Sequence, residues 1–441
     1  MHAILVTLGT DGDVLPYLRL GAALRERGHR VTVVAPQPYA DRVATRGLKF
    51  RPLVSTNENE ELLGNPDFWH PLKCAVVGAK WGARFLDRQY ELISQLAREE
   101  DSVLVANPGA IAARVVHDRW GTPMASIVLQ PWMIKSTIEP PVMPAGLTLP
   151  RGTPWPLSSL YWLALDAVAA MLVGGPLSRL RRSLGLGPVR RMFHWWLSPQ
   201  LVIGFFPEWF GAPRPDWPPQ VRLAGFPLEP TTDHATLPSE VEEFLAAGEP
   251  PIVFTFGTGM MHAADLFRVS LEACQILGAR GLFITRYRPQ IPDWLPPTVR
   301  HVEFAPFRQL FPRSAAVVHH GGVGTITEAM FAGVPQLVLP IAYDQFDNAI
   351  RVKRLGAGDW VKPRDRSGAR VARALSNLIG PDARGRSAAL RSSVATDAIT
   401  TAARWIEELG GACVLPPSAF ASSPPRQGAE QTHRGPRADR S

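Results

Sequence analysis

Short, uninterrupted apolar runs alternate with glycine-containing turns at the start of the chain. Residues 3–8 and 31–35 are such runs, and residues 15–24 between them carry apolar side chains at helical spacing. Continuous apolar runs of this length are typical of strands buried on both faces of a parallel sheet. The pattern therefore predicts a strand, a glycine loop, a helix and a second strand.

The same rhythm begins again after residue 250. Apolar runs at 252–256, 281–285, 315–319 and 336–340 predict strands, and glycine-rich loops follow the first and the third. Residues 131–199 are rich in Trp, Pro and Leu and lack this rhythm. We therefore expect an α/β protein of two facing Rossmann-like domains with a cleft between them.

Changes in composition set the predicted domain boundaries. Prolines and threonines near residues 226–251 indicate a linker, and the chain after residue 411 has few large apolar side chains. We expect an N-terminal domain at 1–228, a linker at 229–250, a C-terminal domain at 251–385, a C-terminal helix at 386–411 and a disordered tail at 412–441.

Charge and cysteine content narrow the class of protein. The net charge of +8 comes without a nucleic-acid-binding motif, so we expect no nucleic-acid partner. The basic segment at 179–191 favours a solvated helix face, with phosphate or an anionic membrane surface as the alternative. Three widely spaced cysteines are typical of a reducing compartment. We expect a cytoplasmic protein, and contact with a membrane surface stays open.

The longest apolar stretch, residues 157–176, approaches the length of a membrane-spanning helix. Asp166 near its middle is costly in lipid, and Gly174, Gly175 and Pro176 interrupt it. The sequence therefore favours a buried helix over a membrane span.

The strongest candidate for chemistry is the segment 317–328. A predicted strand ends in His319, His320 and two glycines, and a helix follows with Thr325 near its first turn. Glycines let a ligand approach the backbone, and the first helical N–H groups form an anion site. A diphosphate fits such a loop without a metal ion. On the glycines alone a purely structural corner is equally good, since the third glycine of the dinucleotide fingerprint is missing.

Asp344 and Gln345 follow the next predicted strand, on the same side of the sheet. A carboxylate beside an amide can hold neighbouring sugar hydroxyls. With these residues in place, the segment 304–358 resembles the donor-binding signature of the family 1 glycosyltransferases, which have the GT-B fold. Residues 9–16 resemble the first loop of the bacterial and sterol branch. Residues 205–227 resemble the rhamnosyltransferases that form rhamnolipids.

The resemblance implies a role for each matching residue. Phe304, where the family usually has Trp, would stack on the base; Glu328 would hold the ribose; Asp344 and Gln345 would hold the sugar. Asp13 matches the general base of this branch. The residues expected to bind the donor are Thr258, Phe304, Ala305, His320, Gly322, Gly324, Thr325, Glu328, Asp344 and Gln345.

Several of these residues have a second interpretation. Asp13 could simply cap the first helix, and Asp11 with Asp13 forms an Asp-x-Asp that binds manganese in another glycosyltransferase fold. His2 and His319 favour structural roles. The aromatic-rich stretch is either core or an apolar acceptor pocket; Trp69, Trp132 and Met133 are the candidate acceptor contacts.

The resemblance thus implies an inverting hexosyltransferase that needs no metal and no cofactor. Its N-terminal domain would bind a lipophilic acceptor with a hydroxyl group, such as a lipid, a sterol or a polyketide-like product. The donor would be of the UDP-glucose type, favoured by Glu328, with dTDP-rhamnose as the alternative. We expect a monomer or weak dimer. A nucleotide-sugar epimerase or hydrolase, or a non-catalytic binding partner, are the competing hypotheses.

Overall fold

Two parallel sheets form the frame of the protein. The computed structural model describes residues 1–99, 101–143, 148–150, 152–228, 236–395 and 397–412. The N-terminal sheet has seven parallel strands in the order β3-β2-β1-β4-β5-β6-β7. They are β1 (His2–Val6), β2 (Arg30–Ala35), β3 (Lys49–Pro52), β4 (Ser102–Ala106), β5 (Met124–Val128), β6 (Leu201–Gly204) and β7 (Val221–Leu223).

The C-terminal sheet has six parallel strands in the order β10-β9-β8-β11-β12-β13. They are β8 (Ile252–Thr255), β9 (Gly281–Ile284), β10 (Val299–Val302), β11 (Ala316–His319), β12 (Gln336–Val338) and β13 (Gly358–Trp360). In both sheets the strand order reverses beside the first strand, so each has a topological switch point where ligands bind in such folds. The predicted α/β architecture with two Rossmann-like domains is confirmed.

Helices cover the faces of both sheets. Those from the N-terminal half are α1 (Asp11–Glu26), α2 (Ala40–Ala44), α3 (Thr56–Gly64), α4 (Cys74–Arg84), α5 (Leu86–Ala97), α6 (Ile111–Trp120), α7 (Trp155–Ser183) and α8 (Met192–Trp195). The later ones are α9 (Ser239–Ala246), α10 (Ala264–Leu277), α11 (Phe307–Leu310), α12 (Val323–Ala332), α13 (Gln345–Arg354), α14 (Gly368–Ser376), α15 (Pro381–Arg391) and α16 (Ala398–Ala412).

The predicted linker at 229–250 needs a correction. Helix α9 lies inside it, and Val241, Phe244 and Leu245 are buried with Val253 and Leu282 of the C-terminal sheet. These apolar side chains make the helix part of the C-terminal core. The first seven residues of the predicted linker, 229–235, lie outside the described residues.

The prediction of one C-terminal helix at 386–411 is wrong, because the structure has two helices. Helix α15 packs on α12 of the C-terminal domain. Helix α16 returns to the N-terminal domain, where Ala402 and Ile406 are buried against α1 and Glu407 pairs with Arg27 and His29. The last helix of the described residues thus packs against the first helix of the N-terminal domain. Of the predicted tail at 412–441, only Ala412, the end of α16, lies within the described residues.

Helix α7 is not the buried helix that its composition predicts. Large apolar side chains on it, such as Leu160 and Met171, are 61% and 81% exposed. Among the described residues it is the one helix long and apolar enough to span a membrane by length and composition. Other residues of α7, such as Trp162 and Val173, are buried against the domain. The sequence therefore predicted the helix correctly, but the prediction that it is buried is wrong.

An apolar cluster joins the two domains. Phe206, Phe210 and Phe226 from the N-terminal half are buried together with Ile326 and Val338 from the C-terminal sheet and its helices. Arg351 adds a polar contact by donating from Nη1 to the Phe210 carbonyl at 2.9 Å. This contact holds the carboxyl ends of the two sheets opposite each other.

Candidate active site

The loop between β1 and α1 positions Asp13. Gly9 has a φ of +111°, and a β-carbon there would overlap the Asp13 carboxylate. The Thr10 amide donates to Asp13 Oδ2 at 3.0 Å. Burial raises the pKa of Asp13 to about 6, although the hydrogen bond from Thr10 opposes the shift. Asp13 therefore does take part in capping the first helix. The same carboxylate, with its raised pKa, can also accept a proton.

Asp11, two residues earlier, has different partners. It accepts from the Tyr39 hydroxyl at 3.0 Å and pairs with Arg42 at 2.9 Å. The carboxylates of Asp11 and Asp13 therefore have different hydrogen-bond and ion-pair partners. In the described parts of the chain, no group of three or more His, Cys, Asp or Glu side chains is arranged to hold a metal ion.

The loop between β11 and α12 forms the second half of the site. Gly321 has a φ of +99°, and a β-carbon there would press on Val338 and Gln345. Helix α12 begins after Gly322 and includes Thr325 in its first turn. Among the described residues, which include this whole turn, the helix has no side-chain cap and no acidic residue there. The first N–H groups of the helix and the positive end of its dipole are therefore available to an anion.

The two histidines before this helix are both uncharged at neutral pH. His319 is fully buried; its Nδ1 accepts from the Gly321 amide, so Nε2 donates to Gln336 at 3.0 Å. This is the structural role that the sequence favours. His320 packs against Gly257 and Gly322, and burial lowers its pKa to about 4 while the Thr255 backbone opposes the shift. A neutral His320 contributes no positive charge, and its one ring N–H is already engaged by the Thr255 carbonyl.

Glycines let the two domains approach each other across the cleft. A β-carbon on Gly324, in the first turn of α12, would lie 4.0 Å from Gly12 Cα, and one on Gly259, in the loop between β8 and α10, would lie 2.6 Å from Thr10 Cγ2. The amino ends of α1 and α12 therefore face each other. Thr258 is exposed on the same side of the C-terminal domain.

The expected base platform lies at the edge of the C-terminal sheet, after β10. Phe304 is 69% exposed, whereas Ala305 beside it is buried. An exposed ring on a fixed backbone is suited to stacking on a flat ligand.

Asp344 and Asn348 connect the β12–α13 loop to the glycine loop. Asn348 Nδ2 donates to Asp344 Oδ2 at 2.6 Å and to the Gly321 carbonyl at 3.0 Å. Burial raises the pKa of Asp344 to about 7, and the charge of Asp13 adds to the shift. Gln345 Oε1 accepts from the Ile341 and Ala342 amides, so its oxygen braces the loop. The predicted pair Asp344 and Gln345 thus lies at the cleft. Asn348 joins this pair as a third polar residue, and its i, i+4 spacing from Asp344 was the sequence signal that could have revealed it.

Tyr343 is a functional candidate that sequence analysis missed. It has a φ of +54°, a conformation that non-glycine residues rarely adopt. Its hydroxyl donates to the Phe68 carbonyl at 3.0 Å, and the two rings lie 5.4 Å apart. The residue next to Asp344 therefore reaches across to the N-terminal domain, and nothing in the local sequence indicates this contact.

Glu328 has a partner that the sequence did not reveal. Arg308 pairs with it at 2.5 Å, and the Arg308 guanidinium lies 3.9 Å from the centre of the Phe331 ring. The carboxylate expected to hold the ribose is therefore already neutralised by a cation.

The three candidate acceptor residues lie at the contact between the domains. Trp69 donates to the Leu63 carbonyl at 2.8 Å and packs against the C-terminal core. Met133 is buried in the cluster that joins the domains, with Trp132 partly buried beside it. The indole N–H of Trp132 is buried without a partner among the described residues. Their acceptor role stays a prediction.

Comparison with known proteins identifies the family. Residues 3–138 match the glycosyltransferase family 28 N-terminal domain, and residues 283–409 match the erythromycin biosynthesis protein CIII-like C-terminal domain. Glycosyltransferase GtfE of Amycolatopsis orientalis is 30% identical over 91% of this chain and 96% of its own length. The O-mycaminosyltylonolide 6-deoxyallosyltransferase of Streptomyces fradiae is 30% identical over 81% of this chain and 84% of its own.

The chain belongs to the family 1 glycosyltransferases of the GT-B fold. Solved structures agree with the fold: the kitacinnamycin glycotransferase has a TM-score of 0.70 at 19% identity, over 92% of this chain and 98% of its own. The spinosyn rhamnosyltransferase in complex with thymidine diphosphate has a TM-score of 0.63 at 20% identity, over 93% of this chain and 100% of its own. The protein is a glycosyltransferase enzyme, as its residues imply. The likeness to rhamnolipid-forming enzymes is not confirmed by these comparisons.

Proposed function

We propose that this glycosyltransferase moves a hexosyl group from a nucleoside diphosphate sugar to a hydroxyl of an apolar acceptor, with inversion at the anomeric carbon. The observation that carries the proposal is Asp13, held by Thr10 at the amino end of α1 and facing α12 through Gly12 and Gly324. With a pKa raised to about 6, its carboxylate is ionised at neutral pH and more basic than an ordinary aspartate.

The reaction proceeds as one in-line displacement. Asp13 takes the proton of the acceptor hydroxyl while that oxygen forms a bond to the anomeric carbon. The bond from this carbon to the diphosphate oxygen breaks on the opposite face, so the configuration inverts. The departing diphosphate gains charge, which the free N–H groups of α12 and the Thr325 hydroxyl stabilise.

Donor selection follows from the rest of the C-terminal loops. Phe304 stacks on the base, and Asp344, with Gln345 beside it, holds sugar hydroxyls. The sequence favoured a uridine donor because Glu328 could pair with both ribose hydroxyls, but Arg308 already neutralises that carboxylate. A buried hydrogen-bond partner left unpaired costs about 1–3 kcal/mol, and an existing ion pair reduces that cost. We therefore expect UDP and dTDP to differ in affinity by less than about tenfold.

Calorimetry with UDP and dTDP on the wild type and on Glu328→Ala tests the donor. A wild-type preference for UDP of about a hundredfold that disappears in Glu328→Ala would contradict the neutralised carboxylate and establish a uridine enzyme. Tighter dTDP binding, unchanged by the substitution, would instead favour a thymidine donor such as dTDP-rhamnose.

Transfer without a metal ion is part of the same proposal. The helix amino end and Thr325 do the work that a cation does elsewhere, and Asp11 is committed to Arg42 and Tyr39. Activity is expected to survive dialysis against EDTA. Loss of activity that manganese restores would contradict the proposal.

For the acceptor, the names of the relatives give a chemical class. One is a 6-deoxyallosyltransferase of O-mycaminosyltylonolide and another a vancomycin aglycone glucosyltransferase. We propose a lipophilic natural product that enters from the N-terminal domain. The buried Trp132 indole N–H, which has no partner among the described residues, is one donor that can meet a polar group of the acceptor.

The decisive experiment compares Asp13→Asn with Asp11→Asn, a matched change in the same helical turn. Mass spectrometry of transfer to a panel of macrolide, glycopeptide-aglycone and sterol acceptors gives the activity, and calorimetry gives nucleotide binding. Asp13→Asn is expected to lose about 10²–10⁴-fold in kcat with nucleotide affinity retained, whereas Asp11→Asn keeps kcat within a few fold. Retention of more than a tenth of kcat in Asp13→Asn would refute the base. Hydrolysis of the donor at an equal rate without any acceptor would favour the hydrolase alternative.

A further inference from the structure

Helix α7 exposes an apolar face that no described part of the chain covers. Its members are 49–81% exposed, and we call them the α7 stripe: Trp155, Leu157, Leu160, Leu163, Val168 and Met171. Helices on the surface of soluble domains normally turn charged or polar side chains outward. The stripe covers 17 residues of a fully described helix, or about 25 Å at 1.5 Å per residue.

The opposite side of α7 fixes the helix to its domain. Asp166 is the only charged residue between positions 155 and 178. It is buried and accepts from the Phe193 amide at 2.9 Å. Trp162 donates to the Ser136 carbonyl at 2.9 Å, and Ser158 to the Thr137 carbonyl at 3.0 Å. These buried polar contacts would be lost if the helix left the domain, so α7 cannot cross a bilayer without unfolding its surroundings.

Cations lie where the apolar face ends. Arg179 and Arg182 are exposed and continue the line of the stripe at helical spacing, through Gly175. Arg190 and Arg191 follow in the chain and, with His194, line a surface cavity. None of these four arginines forms an ion pair with a described residue. The surface therefore combines an uncharged apolar strip with unpaired positive charge at one end.

We propose that the α7 stripe docks the protein on the surface of an anionic lipid bilayer. The apolar side chains enter the boundary between headgroups and acyl chains, and the four arginines bind lipid phosphates. Helices that lie in the plane of a membrane interface turn Trp and Leu towards the lipid. Helix α7 has these side chains, and its cations lie beyond the apolar part of the helix, where an interfacial helix carries them on the opposite face. Each arginine near an anionic surface adds to the attraction.

A second copy of the chain fits this surface less well. No acidic residue lies on the exposed face of α7, which is described along its whole length. An antiparallel pairing of two copies about a twofold axis would bring Arg179 and Arg182 onto the apolar end of the other helix without a counter-charge, and a parallel pairing would bring the arginines of both copies together. Burying unpaired arginines is costly, whereas lipid phosphates supply the missing charge.

Vesicle sedimentation with the full-length protein tests the proposal. Vesicles of 70% phosphatidylcholine and 30% phosphatidylglycerol are compared with vesicles of phosphatidylcholine alone. The wild type is expected to bind the anionic vesicles at least tenfold more tightly. Arg179→Gln with Arg182→Gln should reduce that binding about tenfold, and Leu160→Glu with Met171→Glu should abolish it.

Two controls separate docking from damage and from dimerisation. Ile276→Glu changes an apolar residue that is 59% exposed on α10 of the other domain and should leave binding unchanged. Thermal unfolding should show that the stripe variant keeps the wild-type midpoint. Failure of the wild type to bind, or equal binding by a folded stripe variant, would overturn the proposal. So would a dimer in light scattering that the stripe variant converts to a monomer.

Discussion

The β1–α1 and β11–α12 loops have the same local construction but differ in charge. Each follows a buried strand, turns at a glycine with positive φ and leads into a helix whose amino end points at the cleft. The first loop places Asp11 and Asp13 in the first helical turn. The second loop places no acidic residue there.

The difference shows how one backbone motif serves two chemical tasks. At α1 the positive helix end is occupied by a carboxylate of its own chain, and burial keeps that carboxylate basic. At α12 the same helix end carries no acid, and in the proposed mechanism it binds the diphosphate of the donor. On the proposed mechanism, an acid in the first turn makes the first loop a base, and the lack of one lets the second loop bind an anion.

Among the changes that test this comparison, the largest effect is expected from disturbing the first loop without changing its charge. Gly9→Ala should lower kcat about a hundredfold, because the new β-carbon overlaps the Asp13 carboxylate and displacing a catalytic group by about 1 Å costs that much. Steady-state kinetics measures the effect, with nucleotide binding as the control. Wild-type kcat in Gly9→Ala would show that the position of Asp13 is not critical.

Converting the second loop into a copy of the first tests the comparison directly. Thr325→Asp places an acid in the first turn of α12 and should weaken UDP and dTDP binding about 10–100-fold by repulsion. The same acid should leave helix stability equal or higher, because it favours the helix dipole. Calorimetry and thermal unfolding measure the two effects, and Thr325→Asn is the uncharged control. Equal loss in both variants would mean that shape, not charge, matters there.

The pH profile reports the charge of the first loop. In the proposed mechanism Asp13 acts as a base only when ionised, and its pKa is raised to about 6. The value of kcat/KM should therefore fall about tenfold per pH unit below pH 6. The residual activity of Asp13→Asn should lack this limb. A wild-type profile that is flat from pH 5 to 8 would contradict the assignment.

The smallest expected effect is on stability. Because the pKa of Asp13 is higher in the folded protein than in the unfolded chain, ionisation opposes folding. This cost is absent below about pH 4 and complete above about pH 6. Asp13→Asn should therefore raise Tm by a few degrees at pH 8 and by less as the pH falls towards 4. A lower Tm at pH 8 would show that the helix-cap bond outweighs the burial of charge.

The sequence by itself determined the two Rossmann-like domains and the loops that face the cleft. Continuous apolar runs fixed the parallel strands, and the carboxyl ends of such strands share one edge of a sheet. His320 and Asp344 follow neighbouring strands of the C-terminal sheet and therefore share its edge, and Asp13 lies at the corresponding edge of the N-terminal sheet. Family resemblance added their roles.

Only the tertiary structure decided which partners these residues have. Tyr343 meets Phe68, 275 positions away in the chain, and Arg308 meets Glu328 through the fold of the loops between them. The sequence predicted one C-terminal helix at 386–411, and only the fold shows that its later part is a separate helix, α16, that packs on α1. In the same way, composition gave α7 its apolar side chains, but their exposure depends on whether other elements cover them. How deeply a residue is buried depends on neighbours that are distant in sequence. The raised pKa of Asp13 results from its burial, so no local sequence pattern could predict it.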